Sequence, residues 1–182
     1  MKFETKVLQL KNGSQAELRS PSSSDARLLL DHILRLTSNE YKNLNYSAEY
    51  YRDFTVEKEQ QIIEGFLESK DRFMISAFLG EKVVGNIGFA SLGMGFQKTS
   101  ARFGMGIEKP YQGLGIGKAL LAEALEFGKE HGFHRVELTV RAYNFKAIQM
   151  YEKFEFQKVG LLKEVAFIDD QFVDEYMYQR IL

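Results

Sequence analysis

The sequence contains no cysteine and only three histidines among its 182 residues. Without cysteine the chain has no disulfide frame, no thiolate metal ligand and no thiol nucleophile, and it suits a reducing compartment. The histidines form no ligand cluster, because His32 lies in a predicted helix while His131 and His134 flank the end of another. We therefore expect no metal.

The sequence also lacks an excess of charge and a long apolar run. It has 24 basic and 25 acidic side chains and a formal net charge of −1. This balance gives no electrostatic reason to expect nucleic acid or an anionic membrane as a partner. No stretch approaches the roughly 18 apolar residues that span a bilayer, and the N-terminal segment lacks the apolar core of a signal peptide. We therefore expect a cytoplasmic protein.

The composition that is present, 45% hydrophobic and 27% charged, is typical of a globular protein, and the length suits one domain over residues 1–182. The pattern predicts a leading strand, a helix from an N-cap at Ser24 to about Leu36, and a helix over 56–69. It then predicts strands over 73–79, 83–90 and 100–108, a helix ending near His131, a strand over 135–141, a short helix capped by Asn144, and strands over 157–162 and 172–182. This order indicates a mixed α/β fold with helices flanking a central sheet.

A glycine-rich segment, residues 112–118, lies where a strand is followed by a helix. Glycine permits positive φ and lets a ligand approach the backbone, and the amides that begin a helix favour an anion such as a diphosphate. A tight turn without a ligand is the alternative for such a pattern taken alone. A Walker-type loop is excluded by Gln112 and Ala119, and a dinucleotide fingerprint is excluded by Lys118 in place of its third glycine.

The segment 112–119, QGLGIGKA, resembles the acetyl-coenzyme A loop of the GNAT acetyltransferase superfamily, Q/R-x-x-G-x-G/A. Residues 80–89 resemble the central hairpin of that family, and residues 144–156 resemble its N-x-x-A-x-x-x-Y-x-x-x-G-F helix. The order and spacing of the three segments make the resemblance specific. One departure is Glu155, which stands where the family has a glycine.

The resemblance implies a mostly antiparallel sheet with a splayed parallel pair of strands. Gly104 and Gly106 interrupt the strand before the loop, and the resemblance implies a bulge there that opens a wedge for the pantetheine arm of acetyl-coenzyme A. It further implies that a backbone amide in this strand holds the thioester carbonyl. The residues implied to bind the coenzyme are Met105, Ile107, Gln112, Gly113, Leu114, Gly115, Ile116, Gly117, Lys118, Asn144 and Tyr151.

The implied activity is N-acetyltransfer by direct attack of an amine on the thioester, since the chain has no cysteine to carry the acetyl group. By resemblance Tyr151 donates a proton to the leaving sulfur; a core tyrosine is the alternative. Glu108 ends the third strand of its group and is the first candidate for the general base, with a solvated strand-end charge as the alternative. Glu40 and Tyr41, between the first two helices, are weaker candidates for contacts to the acceptor.

Two matters stay open at this point. A non-catalytic module that binds acyl-coenzyme A as a signal would share the fold and the loop. The acceptor could be an amine of a small molecule, a peptide or a protein, and the chain could form a homodimer.

Overall fold

The computed structural model describes residues 1–93 and 95–182. These residues form eight β-strands and four α-helices. The strands are β1 Lys6–Gln9, β2 Gln15–Arg19, β3 Arg72–Leu79, β4 Lys82–Ser91, β5 Ser100–Ile107, β6 Arg135–Arg141, β7 Gln157–Ile168 and β8 Gln171–Ile181. The helices are α1 Ala26–Asn39, α2 Val56–Glu68, α3 Ile116–Glu130 and α4 Phe145–Lys153.

The strands join in one sheet with the order β1-β2-β3-β4-β5-β6-β8-β7. Among the described strands, six of the seven neighbouring pairs are antiparallel, and the β5–β6 pair is parallel. The predicted mixed α/β fold with a mostly antiparallel sheet is therefore confirmed.

Three boundaries differ from the prediction. The single leading strand is instead a pair, β1 and β2, which turn at Gly13 with φ +87°. Ser24 lies inside a short 3-10 turn, and α1 begins after Asp25. The strand predicted over 157–162 continues to Ile168, where its exposed residues gave little periodicity to read.

Helices cover both faces of the sheet. On one face α3 and α4 pack through Leu120, Leu121 and Ile148 onto a core that includes the stacked rings of Phe73 and Phe89, with centroids 4.8 Å apart. On the other face α1 and α2 pack onto β3 and β4 through the smaller cluster of Ala26, Leu29, Ile63, Met74, Phe78 and Val83. The two helical layers hold the sheet between them, so any opening within the sheet is bordered by helices.

The sheet opens between β5 and β6. Along the described strands the two are paired only at Ser100–Arg135, Ala101–Val136 and Arg102–Glu137, although β5 continues to Ile107 and β6 to Arg141. Beyond these three pairs, the backbone groups on the facing edges of β5 and β6 have no hydrogen-bond partner across the sheet. The predicted splayed parallel pair is thus present.

The prediction of a bulge in β5 is wrong, so a bulge is not the cause of the separation of β5 from β6. The described register of β4 with β5 continues without a shift from Ser91–Ala101 to Gly85–Ile107. Gly106 has a different role, because a Cβ there would lie 2.6 Å from Cδ1 of Leu36 in α1. Gly104 would meet nothing within 4 Å and so leaves open space on the same face of β5.

Among the described residues, none of the helices combines the length and the apolar character that crossing a membrane requires.

Glu155 occupies the left-handed region, with φ 63°, at the end of α4. A non-glycine side chain in this conformation costs about 1–2 kcal/mol relative to the right-handed region. Its carboxylate lies 3.1 Å from Arg180, but the Glu155 side chain is 80% exposed and such surface pairs contribute little.

We predict that Glu155→Gly raises the free energy of unfolding by about 1 kcal/mol, because relief of strain exceeds the extra freedom of glycine in the unfolded chain. Glu155→Ala is the control, since it removes the ion pair but keeps Cβ, and it should change stability little. Urea unfolding of the three proteins measures this. Equal stabilisation by alanine would contradict the account of strain.

Candidate active site

A cavity of about 840 Å³ occupies the wedge between β5 and β6. On one side it is lined by the glycine-rich loop and α4, and on the other by α1, the start of α2 and the segment that joins them. Unpaired backbone of β5 and β6 therefore meets, in one space, both the loop predicted to bind a phosphate and the segment predicted to contact an acceptor.

The loop has the backbone conformation that its glycines make accessible. Gly113 and Gly115 have φ +83° and +104°, and Gly115 is the N-cap of α3. No side chain caps this helix, so the first amides of α3 are free to bind an anion at the positive end of the helix dipole. The loop is held from behind by a hydrogen bond of 3.3 Å from the Lys11 amide to the Leu114 carbonyl.

Most of the residues predicted to bind the coenzyme come together at the cavity. Leu114 and Ile116 do not line it, because both side chains pack into the core, so only their backbone could contribute. Those that line the cavity are Met105, Ile107, Gln112, Gly113, Gly115, Gly117, Lys118, Asn144 and Tyr151.

Two of these polar side chains are fixed by local hydrogen bonds. Asn144 caps α4 as predicted, with its side chain accepting from the Ala147 amide at 3.2 Å. Gln112 donates to the Ile107 carbonyl at 3.1 Å and accepts from Lys146 at 2.8 Å. The loop, the end of β5 and α4 are thereby tied together at the mouth of the cavity.

Sequence reasoning missed three further cations at this mouth. Lys11, Lys146 and Lys153 line the cavity together with Lys118. They come from the β1–β2 turn and from α4, so only the fold brings them near the loop. Their charge favours a ligand with several phosphates.

Tyr151 lies deep in the same cavity. It is 8% exposed, and its ring packs edge-on against Phe103 and Phe156 at centroid distances of 5.9 and 6.0 Å. Burial raises the pKa of Tyr151 to about 12, so the phenol keeps its proton throughout the physiological range. A buried, protonated phenol on a residue that lines the cavity is suited to giving a proton rather than taking one.

The structure argues against Glu108 as the general base. Its carboxylate is 5% exposed, lies outside the cavity lining, and accepts from His32 Nδ1 and Arg35 Nε, both at 2.9 Å, with Lys82 Nζ at 3.0 Å. Burial alone would raise the pKa of Glu108, but the hydrogen bonds from His32, Lys82 and Arg35 hold it at about 2. A carboxylate with so low a pKa is a poor proton acceptor. Its three partners instead connect α1 to the sheet, since His32 and Arg35 lie in α1 and Lys82 lies in β4.

The two residues predicted to contact the acceptor are separated. Glu40 lines the cavity at the end of α1. Tyr41 lies outside the lining and is 39% exposed, because its hydroxyl donates to the carboxylate of Asp169 in the β7–β8 turn at 3.1 Å. The prediction for Tyr41 is therefore not supported by its position.

The cavity also contains a carboxylate that the sequence reasoning missed. Glu59 in α2 lines the side of the cavity that is formed by α1, the start of α2 and the segment between them, and it is 1% exposed. The signal was present, since Glu59 falls on the apolar stripe of α2 three and four residues before Ile62 and Ile63. Burial of an acidic side chain costs folding free energy unless its charge is paired.

No group of three or more His, Cys, Asp or Glu side chains that could hold a metal ion occurs within residues 1–93 and 95–182.

Comparison with protein families places residues 32–156 within the model of the Acetyltransferase (GNAT) family. Among curated proteins, the N-alpha-acetyltransferase RimI of Mycobacterium tuberculosis is 35% identical over 95 residues, which is 52% of this chain and 58% of the relative. The chain spans about half the length of the first curated relatives that it matches.

Solved structures of low sequence identity share the fold. A GNAT-family acetyltransferase from Streptococcus pneumoniae superposes with a TM-score of 0.86 at 24% identity, covering 92% of this chain and 99% of the other. RimL, a ribosomal L7/L12 alpha-N-protein acetyltransferase solved with coenzyme A, superposes with a TM-score of 0.77 at 19% identity, covering 92% and 94%.

We predict that Glu108→Gln lowers the free energy of unfolding at pH 7 by about 2 kcal/mol, because a neutral amide replaces the buried carboxylate that accepts from His32 and Arg35 and pairs with Lys82. The pKa of Glu108 is depressed, so its stabilisation is present above about pH 4.5 and is lost as the pH falls through about 2. The deficit of the variant should therefore shrink in acid. Denaturant unfolding at pH 7 and pH 3 measures it, with Glu81→Gln in the exposed β3–β4 turn as control. A general base would instead show as a changed pH–rate profile between pH 6 and 9 in a stable Glu108→Gln protein.

Proposed function

The chain belongs to the Acetyltransferase (GNAT) family, and from this membership and the geometry of the cavity we propose that it transfers an acetyl group from acetyl-coenzyme A to a primary amine of a small molecule, peptide or protein. The observation that carries the proposal is the uncapped N-terminus of α3 at a cavity that the protonated Tyr151 also lines. We take residues 1–182 as one acetyltransferase unit, because a single sheet runs from β1 to β7.

Acetyl-coenzyme A supplies the activated acetyl thioester, and the cavity has the features to hold it. The amides of residues 115–118 would bind the diphosphate at the positive end of α3, with Lys118 and Lys146 adding charge. The unpaired backbone near Met105 and Ile107 would pair with the amide groups of the arm, and Asn144 would contact the arm from α4. The solved RimL structure with coenzyme A has the same fold, which supports this placement.

The chemistry requires one proton to reach the leaving sulfur and one to leave the amine. Tyr151 would donate the first, since its hydroxyl is protonated at every physiological pH and lies at the cavity. A backbone amide of β5 in the unpaired stretch would stabilise the negative charge that develops on the thioester oxygen. The absence of cysteine favours direct transfer over an acetylated enzyme.

We predict that Gly115→Ala weakens binding of acetyl-coenzyme A at least about tenfold, because a Cβ at φ +104° forces the first turn of α3 to turn its amides away. Gly80→Ala is the matched control: it has φ +58° and open space around its Cβ, as at Gly115, but lies in the β3–β4 turn. Titration calorimetry with acetyl-coenzyme A compares the two. Equal affinity in both variants would remove the loop from the proposed site.

We predict that Tyr151→Phe lowers kcat about 10²–10⁴-fold with little change in coenzyme affinity, because only proton donation is lost. Tyr178→Phe is the control, since Tyr178 is equally buried and donates at 3.0 Å to Glu152 but does not line the cavity. Thiol release with a panel of amines measures the rate. Coenzyme binding by the wild-type protein without acetylation of any amine would favour the non-catalytic sensor module.

A further inference from the structure

The carboxylate of Glu59 has an unmet need for a partner. Both its oxygens are buried, and within the described residues neither accepts a hydrogen bond. A buried ionised carboxylate without a donor is strongly disfavoured, so such groups in proteins are normally paired. Nothing in the packing of α2 requires an acid there, because its neighbours on the stripe, Ile62 and Ile63, are aliphatic.

The arginines on this side of the cavity already face other acids, and of their buried nitrogens only Nε of Arg141 has no partner among the described residues. Arg102 in β5 donates from Nε to Glu137 at 3.0 Å, and Arg141 in β6 is paired with Glu175 of β8. Of the other elements that line this side, α1 contributes apolar residues, Thr37 and the carboxylate of Glu40, and β3 contributes Met74. Asn86 of β4 and Asn43 and Asn45 of the joining segment also line the cavity, but none of them donates to Glu59, so the carboxylate is available to a cation brought from outside.

Aromatic side chains of the segment that precedes α2 line the same cavity as Glu59. The rings of Tyr46 and Tyr50 stack at 4.5 Å, Tyr51 lies edge-on to Tyr50 at 5.0 Å, and Phe54 lies 4.8 Å from Tyr51. All four line the cavity. The faces of this aromatic cluster suit an ammonium group, and Lys58 Nζ already lies 3.9 Å from the centre of the Phe54 ring.

We propose that Glu59, together with the aromatic cluster of Tyr46, Tyr50, Tyr51 and Phe54, binds the acceptor as its ammonium ion and serves as the general base. This rests on the proposed acetyl transfer. The acceptor is a primary amine on an apolar or aromatic group without an adjacent carboxylate, because the nearby arginines have their charge neutralised by Glu137 and Glu175.

In the proposed acetyl transfer, Glu59 takes one proton from the ammonium, and the freed lone pair forms the C–N bond to the acetyl carbon. The C–S bond then breaks, Tyr151 gives its proton to the sulfur, and its phenolate recovers a proton from the acylated nitrogen. Glu59 releases its proton to water, so one proton leaves per turnover.

The basicity of the carboxylate suits this role. Burial raises the pKa of Glu59 to about 7. Burial is the main cause that raises the pKa of Tyr51 to about 12, and the nearby Tyr50, Tyr46 and Glu59 add to it in that order. A base with a pKa near 7 is about half ionised at neutral pH, and in its ionised form it can take a proton from an ammonium ion held against it.

The test compares wild-type protein, Glu59→Gln and, as control, Glu57→Gln, which is the same change on the exposed side of α2. Calorimetry without coenzyme measures binding of 2-phenylethylamine, the uncharged 2-phenylethanol, and phenylalanine, which adds a carboxylate. We expect Glu59→Gln alone to weaken amine binding at least tenfold and to leave alcohol binding unchanged. Phenylalanine should bind the wild-type protein at least tenfold more weakly than the amine.

Two readouts separate catalysis from structure. The rate kcat/KM of the wild-type protein should rise through about pH 7, and Glu59→Gln should lose this rise together with about 10²-fold in rate. Because the pKa of Glu59 is raised, its ionisation costs stability as the pH rises from about 4.5 to 7. The melting temperature of Glu59→Gln should therefore exceed that of the wild type at pH 8 and equal it at pH 4.

The proposal is overturned if 2-phenylethylamine does not bind the wild-type protein, if Glu59→Gln binds it equally well, or if the variant keeps the rise in rate near pH 7. Equal binding of phenylalanine and the amine overturns the substrate class. Because amine binding is measured without coenzyme, failure of the wild-type protein to bind acetyl-coenzyme A would contradict the proposed acetyl transfer without changing the result for Glu59.

Discussion

The early end of hydrogen bonding between β5 and β6 is the constraint on which the rest of the site depends. After Arg102–Glu137 the two strands separate, and the backbone groups on their facing edges need another partner. The gap also lets the N-terminus of α3 and the side of α4 meet at one mouth. A single departure from a regular ladder thus creates the cavity, its backbone donors and its access to Tyr151.

Two buried glutamates on this fold show how partners set chemistry. Glu108 and Glu59 are both almost fully buried, yet the pKa of the first is held at about 2 and that of the second is raised to about 7. The difference lies in their neighbours, because His32, Arg35 and Lys82 surround Glu108 whereas the described residues offer Glu59 no donor. Glu108 joins α1 to the sheet, whereas the carboxylate of Glu59 remains available to bind a ligand.

Local signals made part of this structure predictable. The turn conformation of Gly113 and Gly115 and the capping role of Asn144 follow from residue type and neighbours in the chain, and both were predicted correctly. The environment of Glu108 was not, because His32, Arg35 and Lys82 come from elements distant in sequence. Gly104 and Gly106 were misread as a bulge, since sequence does not reveal that Leu36 of α1 approaches one of them. Glu59 could have been found as an acid on an apolar stripe, but its lack of a partner is visible only in three dimensions.

The central claim, that free amides at the start of α3 and along the splayed β5 hold coenzyme A, is tested most directly by a nitrogen-15 NMR titration of the wild-type chain with that coenzyme. We predict that the largest shifts occur at the amides of Gly113, Gly115, Gly117 and Lys118 and, along the wedge, at Met105 and Ile107. Unchanged amide resonances in these residues at millimolar coenzyme A would contradict the account.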